Sequence, residues 1–293
     1  MKYLTFASLL AAACVLPAVL AAQVKPIDVY VSVVDGKGEP AKGLTETDFR
    51  VREDGVIREV QKAGVATDPL TIALLVDDSQ AMTPALQMIR EALDGFIGAL
   101  DGKAEIALVT FGDRPEIAVD YTTDRKKLLD AAHRLFPRSG GGAYLLDAIV
   151  DVSKGLQKRE PKRPVIAVLT IDDETEFSNR QYTQVLDELN KSRAALHVVT
   201  LGTPSSSQAD EMRNRNMVIA MGTERTGGRR DNVLPLTGAA PRMKQLANEL
   251  IHQYQVTYGR PETLIPPEKI EVTVSKPGLT ARARTRNPQA GAR

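Results

Sequence analysis

The chain has 293 residues, 43% hydrophobic and 26% charged, which is room for one sizeable core and a smaller annex. Its 38 basic and 37 acidic residues leave a formal net charge of +1, so no sequence-wide field draws it to nucleic acid or anionic lipid. With no Trp and 4% aromatic residues, base-stacking platforms are not expected either.

The first residues, MKYLTFASLLAAACVLPAVLAAQ, combine one lysine, an apolar stretch and a small-residue end at Val19-Leu20-Ala21. They read as a secretory signal peptide over 1–21, cleaved after Ala21 or Ala22, which places the mature chain outside the cytoplasm, in the periplasm or secreted. Leu4 to Ala22 is also long enough to span a bilayer, so membrane attachment is expected only if this segment is retained. Cys14 is the single cysteine, and Ala11-Ala12-Ala13-Cys14 departs from a lipoprotein signal. A mature chain without thiols has no disulfides, thiolate metal sites or cysteine nucleophile.

Residues 22–66 read as β structure. Val29, Val31 and Val33 alternate before a turn at Asp35-Gly36-Lys37-Gly38. Phe49 to Arg52 and Val56 to Val60 form a hairpin through Glu53-Asp54-Gly55. From Leu70 the pattern changes. Leu70 to Val76 is a continuous apolar run that breaks into Asp77, Asp78 and Ser79, as a central parallel strand buried on both faces should. Further strands are expected at Ile106 to Phe111, Val165 to Ile171 and Leu196 to Leu201, with a shorter one at Gln255 to Tyr258. Helices alternate with them: Leu86, Ile89, Leu93, Ile97 and Leu100 lie on one stripe, then Leu145, Ile149, Val152 and Leu156, then Val185, Leu186 and Leu189, and last Met243 to Tyr254.

This alternation predicts an α/β fold over 67–259, a Rossmann-like, doubly wound and mostly parallel sheet with helices on both faces. Asp113 to Tyr121 should add an antiparallel edge strand. Pro204 to Arg230, rich in Ser, Asn and Arg, includes a weak helix. A proline-rich link at Pro261 to Pro267 leads to a carboxyl-terminal β segment, 260–286, expected to pair with the amino-terminal one in a small β domain. Arg282, Arg284 and Arg286 read as a solvated guard on an exposed edge, and 287–293 as a disordered tail.

Ligand crevices in such sheets lie outside the carboxyl ends of the strands. Three loops should meet there: Asp77-Asp78-Ser79-Gln80-Ala81, Arg138-Ser139-Gly140-Gly141-Gly142-Ala143 and Asp172-Asp173-Glu174-Thr175. Their carboxylates and hydroxyls are hard oxygen donors of the kind that suits Mg²⁺ or Ca²⁺. At this point the chain resembles the von Willebrand factor A (vWA) family, whose metal-ion-dependent adhesion site uses Asp-x-Ser-x-Ser, a loop Thr and a later Asp. Asp77, Ser79 and Asp172 match it. Ala81 stands in place of the second serine and Ala143 in place of the threonine. Val33 to Gly38, Gly43 to Phe49, Glu53-Asp54-Gly55, Thr226 to Arg229 and Gln253 to Tyr258 are similar, in order and spacing, to landmarks of the bacterial, acidobacterial-type vWFA-related branch. The resemblance spans nearly all of the mature chain.

It implies a protein-protein interaction or adhesion module whose partner offers a carboxylate. The two lost hydroxyls imply a degenerate adhesion site in which metal-dependent binding is weakened or lost. Weak Mg²⁺ or Ca²⁺ binding, with Asp78 or Asp173 as substitute ligands, is the alternative. No catalytic residue is expected. His133, His197 and His252 are unpaired in spacing, and His197 reads as a satisfied core histidine. The glycine loop lacks the Lys-Ser or Lys-Thr of a phosphate loop, so its glycines are expected to let backbone approach the crevice. Two other readings compete: a scaffold that binds through its β flanks or the 204–230 stretch, and a Mg-dependent phosphohydrolase similar to the haloacid dehalogenases. The second lacks an aspartate two residues after Asp77, where Ser79 stands.

Overall fold

The structure, a computed structural model, describes residues 24–172, 176–262 and 265–288. The proposed signal segment with Cys14, and Asp173 in the crevice loop, lie outside the described residues.

Six strands form the main sheet: β5 (Leu70–Val76), β6 (Ala104–Thr110), β7 (Glu116–Thr122), β8 (Arg163–Ile171), β9 (Ala195–Leu201) and β10 (Arg230–Val233). Their order is β10-β9-β8-β5-β6-β7, all parallel except the edge strand β7, which runs antiparallel to β6. Every residue of β5 is buried, because successive side chains serve two different cores. Ile72 and Leu74 pack with α1 (Leu86–Ala99), α2 (Arg125–His133) and α6 (Ala239–Ile251). Ala73 and Leu75 pack with α3 (Leu145–Arg159), α4 (Tyr182–Ser192) and α5 (Asp210–Thr226). The doubly wound α/β reading therefore holds.

The flanks build two antiparallel sheets. One has the order β13-β1-β11-β4, with β1 (Val24–Val34), β4 (Val60–Val65), β11 (Tyr254–Pro261) and β13 (Thr280–Ala283). The other is β12-β2-β3, from β2 (Phe49–Glu53), β3 (Val56–Arg58) and β12 (Ile270–Val274). They share one apolar core, in which Phe49 meets Tyr254 at 5.4 Å between ring centroids. The β2–β3 hairpin turns through Asp54 and Gly55, both at positive φ, as the Asp-Gly signal anticipates.

Several expectations need correction. The strand at Gln255 to Tyr258 is not part of the parallel sheet: it is β11, between β1 and β4. Its buried Tyr254, Val256 and Tyr258 alternate with half-buried Gln255 and Thr257, the signature of a strand covered on one side only. The short α2 and β10 were not anticipated; α2 is announced by Asp124, whose carboxylate caps Lys127 N–H at 3.0 Å. The helix expected within 204–230 is present as the 17-residue α5, with Met212, Val218 and Ile219 buried. Arg282 and Arg284 are no solvated guard. Arg282 pairs with buried Glu249 at 2.6 Å, and Arg284 bonds Asn190 and the Ala194 carbonyl, because β13 lies against α6 and the end of α4. Of the expected tail, Asn287 is buried and donates its N–H to the Glu268 carbonyl, and 289–293 lie outside the described residues.

Candidate functional site

The in-register pairing of β5 with β8 sets Val76 beside Leu169, so both strands end at the same crest and deliver Asp77 next to Thr170. Asp77 is fully buried and spends both carboxylate oxygens on the fold. Oδ1 accepts the Ser79 N–H at 3.0 Å, and Oδ2 accepts the Thr170 hydroxyl at 2.8 Å and the Ile171 N–H at 3.2 Å. Asp172 follows at the end of β8, its N–H given to the Leu201 carbonyl at 2.9 Å. The crest thus gathers Asp77, Ser79 and Asp172 from segments nearly a hundred positions apart.

A fourth residue, which the sequence reading missed, links them. Arg215 of α5 lies buried behind the crest, with 1% of its side chain exposed. Its guanidinium donates to Asp172 Oδ1 at 3.1 Å, to the Ile171 carbonyl at 3.0 Å and to Thr170 Oγ1 at 3.3 Å. Thr170 relays between the two, donating to Asp77 while accepting from Arg215. Glu176 approaches the same guanidinium at 3.9 Å. Burial pushes the Glu176 carboxyl up to about 7, against the opposing pull of hydrogen bonds from Ser178 and the charge of Arg215. A signal for Arg215 did exist: it sits at helical spacing between Met212 and Val218, an arginine on the buried stripe of α5.

Asp78 is held on the other side. Its Oδ1 accepts the Gly112 N–H at 2.6 Å and its Oδ2 the Arg138 Nε at 2.7 Å. Arg138 also grips Glu116 at 2.6 Å, which keeps that carboxyl below its ordinary range. Close backbone approach is real here. A Cβ on Gly112 would lie 2.3 Å from the Ser79 nitrogen, and one on Gly141 would lie 2.2 Å from the Gly112 carbonyl oxygen. Gln80 N–H bonds the Gly141 carbonyl, and Gln80 Oε1 accepts the Gly140 N–H at 2.7 Å.

Ser79 Oγ is buried and has no hydrogen-bond partner among the described residues. Ala81 and Ala143 bring no side-chain oxygen. Ala143 is buried in the core under α3, with its carbonyl accepting the Phe177 N–H. Phe177 covers Gly142 and stays half exposed; Phe136 and Ile117, near Arg138 and Glu116, are exposed as well. The histidines are elsewhere: His133 pairs with Asp94 at 2.7 Å, and His252 bonds the Asn248 carbonyl. His197 is not a satisfied core histidine. It is fully buried, neither ring nitrogen has a hydrogen-bond partner among the described residues, and burial drives its pKa down to about 4.

Residues 72–174, from β5 past the end of β8, match the sequence profile of the von Willebrand factor type A domain. No curated protein matches the chain. Among solved structures, a von Willebrand factor type A protein from Catenulispora acidiphila aligns with TM-score 0.52 and 10% identity, over 89% of this chain and 73% of that one. Proximal thread matrix protein 1 from the mussel byssus aligns with TM-score 0.48 and 11% identity, over 63% and 48%. The SpRpn10 VWA domain aligns with TM-score 0.43 and 19% identity, over 61% and 98%.

Proposed function

We propose that this chain, which carries a von Willebrand factor type A domain, is an exported, non-enzymatic module that docks a protein partner across the crest of its sheet, with an internal arginine serving in place of a divalent cation. The observation that carries this reading is the buried Arg215 guanidinium on Asp172. A fixed positive charge at contact distance neutralises that carboxylate and repels a dication brought to it.

The rest of the donor set points the same way. Asp77 accepts three hydrogen bonds, Asp78 is engaged by Arg138 and Gly112, and Ala81 and Ala143 offer no side-chain oxygen. Among the described residues of this set, Ser79 Oγ is buried without a hydrogen-bond partner, against the roughly six oxygens that Mg²⁺ or Ca²⁺ seeks. These residues do not fit the metal that the family resemblance implies, and the adhesion site is degenerate in that sense. The exposed Phe136, Phe177 and Ile117 rim the same loops, an apolar fringe suited to a protein surface. The histidines lie elsewhere, so among the described residues Ser79 has no imidazole beside it, which speaks against a serine-histidine hydrolase.

Crosslinking mass spectrometry from the native cell envelope tests the proposal. A partner should crosslink to the crest loops, persist in excess EDTA and disappear with Phe177→Asp. Retention that requires Mg²⁺ would refute the metal-free reading. Amino-terminal sequencing of the mature protein, expected to start after Ala21 or Ala22, tests export.

A further inference from the structure

At the opposite end of the main sheet, where the flanking β structure meets the first residues of β8 and β9, lies a cavity of about 300 Å³. Among the described residues, five cationic side chains line it, Lys162, Arg163, Arg193, Arg260 and Arg284, against one carboxylate, Asp28. Two of the cations are matched nearby: Lys162 pairs with Asp68 at 2.9 Å and Arg260 with Glu53 at 3.7 Å. Asp28 is engaged by the Thr257 hydroxyl.

Arg163 and Arg284 differ, because their hydrogen bonds go to neutral oxygens. Arg163, 5% exposed, donates to the carbonyls of Asp68 and Leu250 and to Gln253 Oε1. Arg284 donates to Asn190 Oδ1 and the Ala194 carbonyl. Burial lowers its pKa to about 10, and the charge of Arg193, exposed and lining the same cavity, pushes in the same direction. Arg163 is buried and Arg284 half-buried; a guanidinium withdrawn from water onto neutral acceptors is costly to keep charged, and an anion placed beside it recovers that cost. Ile27, Val29, Pro164, Val165 and the ring of Tyr258 give the cavity an apolar side, beside the polar Thr226, Gln253 and Asn287.

From these observations we infer that the cavity binds an amphiphilic carboxylate, its head group on Arg163 and Arg284 and its apolar body against Val29, Val165 and Tyr258. At roughly 30 Å³ per water-sized group, the space holds a ligand of about ten heavy atoms. A medium-chain carboxylate meets both the charge and the size. This site is separate from the crest, and its test does not depend on the docking proposal.

Titration calorimetry of the whole mature chain with octanoate tests it, with octan-1-ol, octylamine and inorganic phosphate as matched probes. Octanoate should bind saturably at one site. The alcohol should bind about tenfold more weakly or worse, since it brings no charge to the guanidiniums. The amine and phosphate should not compete. Ala195→Phe, which fills the cavity from β9, and Arg284→Met should each weaken octanoate by at least about tenfold. Arg193→Met, at an exposed residue, should weaken it less and keeps the test valid if Arg284→Met fails to fold. No saturable octanoate binding, equal binding of the alcohol or phosphate, or undiminished binding in Ala195→Phe would overturn the inference.

Discussion

Replacing Arg215 with methionine keeps most of the side-chain volume and removes the charge. Asp172 then loses its partner, and Thr170 Oγ1 and the Ile171 carbonyl each lose a donor. Breaking one side of a buried ion pair costs ~3–5 kcal/mol, and for a domain of this size each kcal/mol lowers Tm by ~2–4 °C. The expected fall in Tm is therefore about 6–20 °C, read by circular dichroism and calorimetry. The double variant Arg215→Met/Asp172→Asn should lose less than the sum of the single variants, because no bare charge is left behind. Mg²⁺ should raise the Tm of Arg215→Met, whose Asp172 is exposed to a new cation, and leave the wild type unchanged. A single variant within about 1 kcal/mol of wild type, additive energies, or a wild-type protein stabilised by Mg²⁺ would refute the internal-cation argument.

Three further outcomes follow from the same geometry. The Glu176 pKa is raised from 4.5 to about 7, so the unfolded chain ionises first and stability falls as pH rises from about 4.5 to 7. Glu176→Gln should remove that slope, worth roughly 3 kcal/mol across the window, in urea titrations compared with wild type at each pH. His197 has the opposite sign: with its pKa lowered from 6.5 to about 4, it destabilises the fold as pH falls through that range. His197→Leu should raise the urea midpoint at pH 5 relative to wild type, and a lower midpoint would mean that the ring has a partner in solution. Gly112→Ala puts a methyl group 2.3 Å from the Ser79 nitrogen, among backbone atoms that have no room to yield. It should cost ~1–3 kcal/mol or more and lower the Tm; an unchanged Tm would show that the crest loops are looser than drawn.

Much of the fold was legible because burial writes itself into periodicity. The unbroken apolar run of β5 marks a strand covered on both faces, and the stripes at Leu86 to Leu100 and Leu145 to Leu156 mark the helices that cover it. β11 was misplaced because its position in the chain, after the last helix, suggested one more parallel strand, while its alternation pointed to the flanking sheet. Arginines 282 and 284 were misread because their spacing along β13 does not reveal Glu249 or the end of α4, which approach from distant segments.

The crest shows the division most plainly. A local strand-end motif, Leu70 to Ser79, is enough to say where Asp77 and Ser79 must sit, since a strand's direction and burial depend on its own residues and immediate neighbours. Which charge faces Asp172 is a matter of helix packing. Only when α5 lies against the sheet does Arg215, 43 positions further along the chain, come within 3.1 Å of that carboxylate. The sequence could therefore show which expected oxygens were absent. The assembled layers alone decided what occupies their neighbourhood, because electrostatic pairing depends on distance in space and carries no signature of separation along the chain.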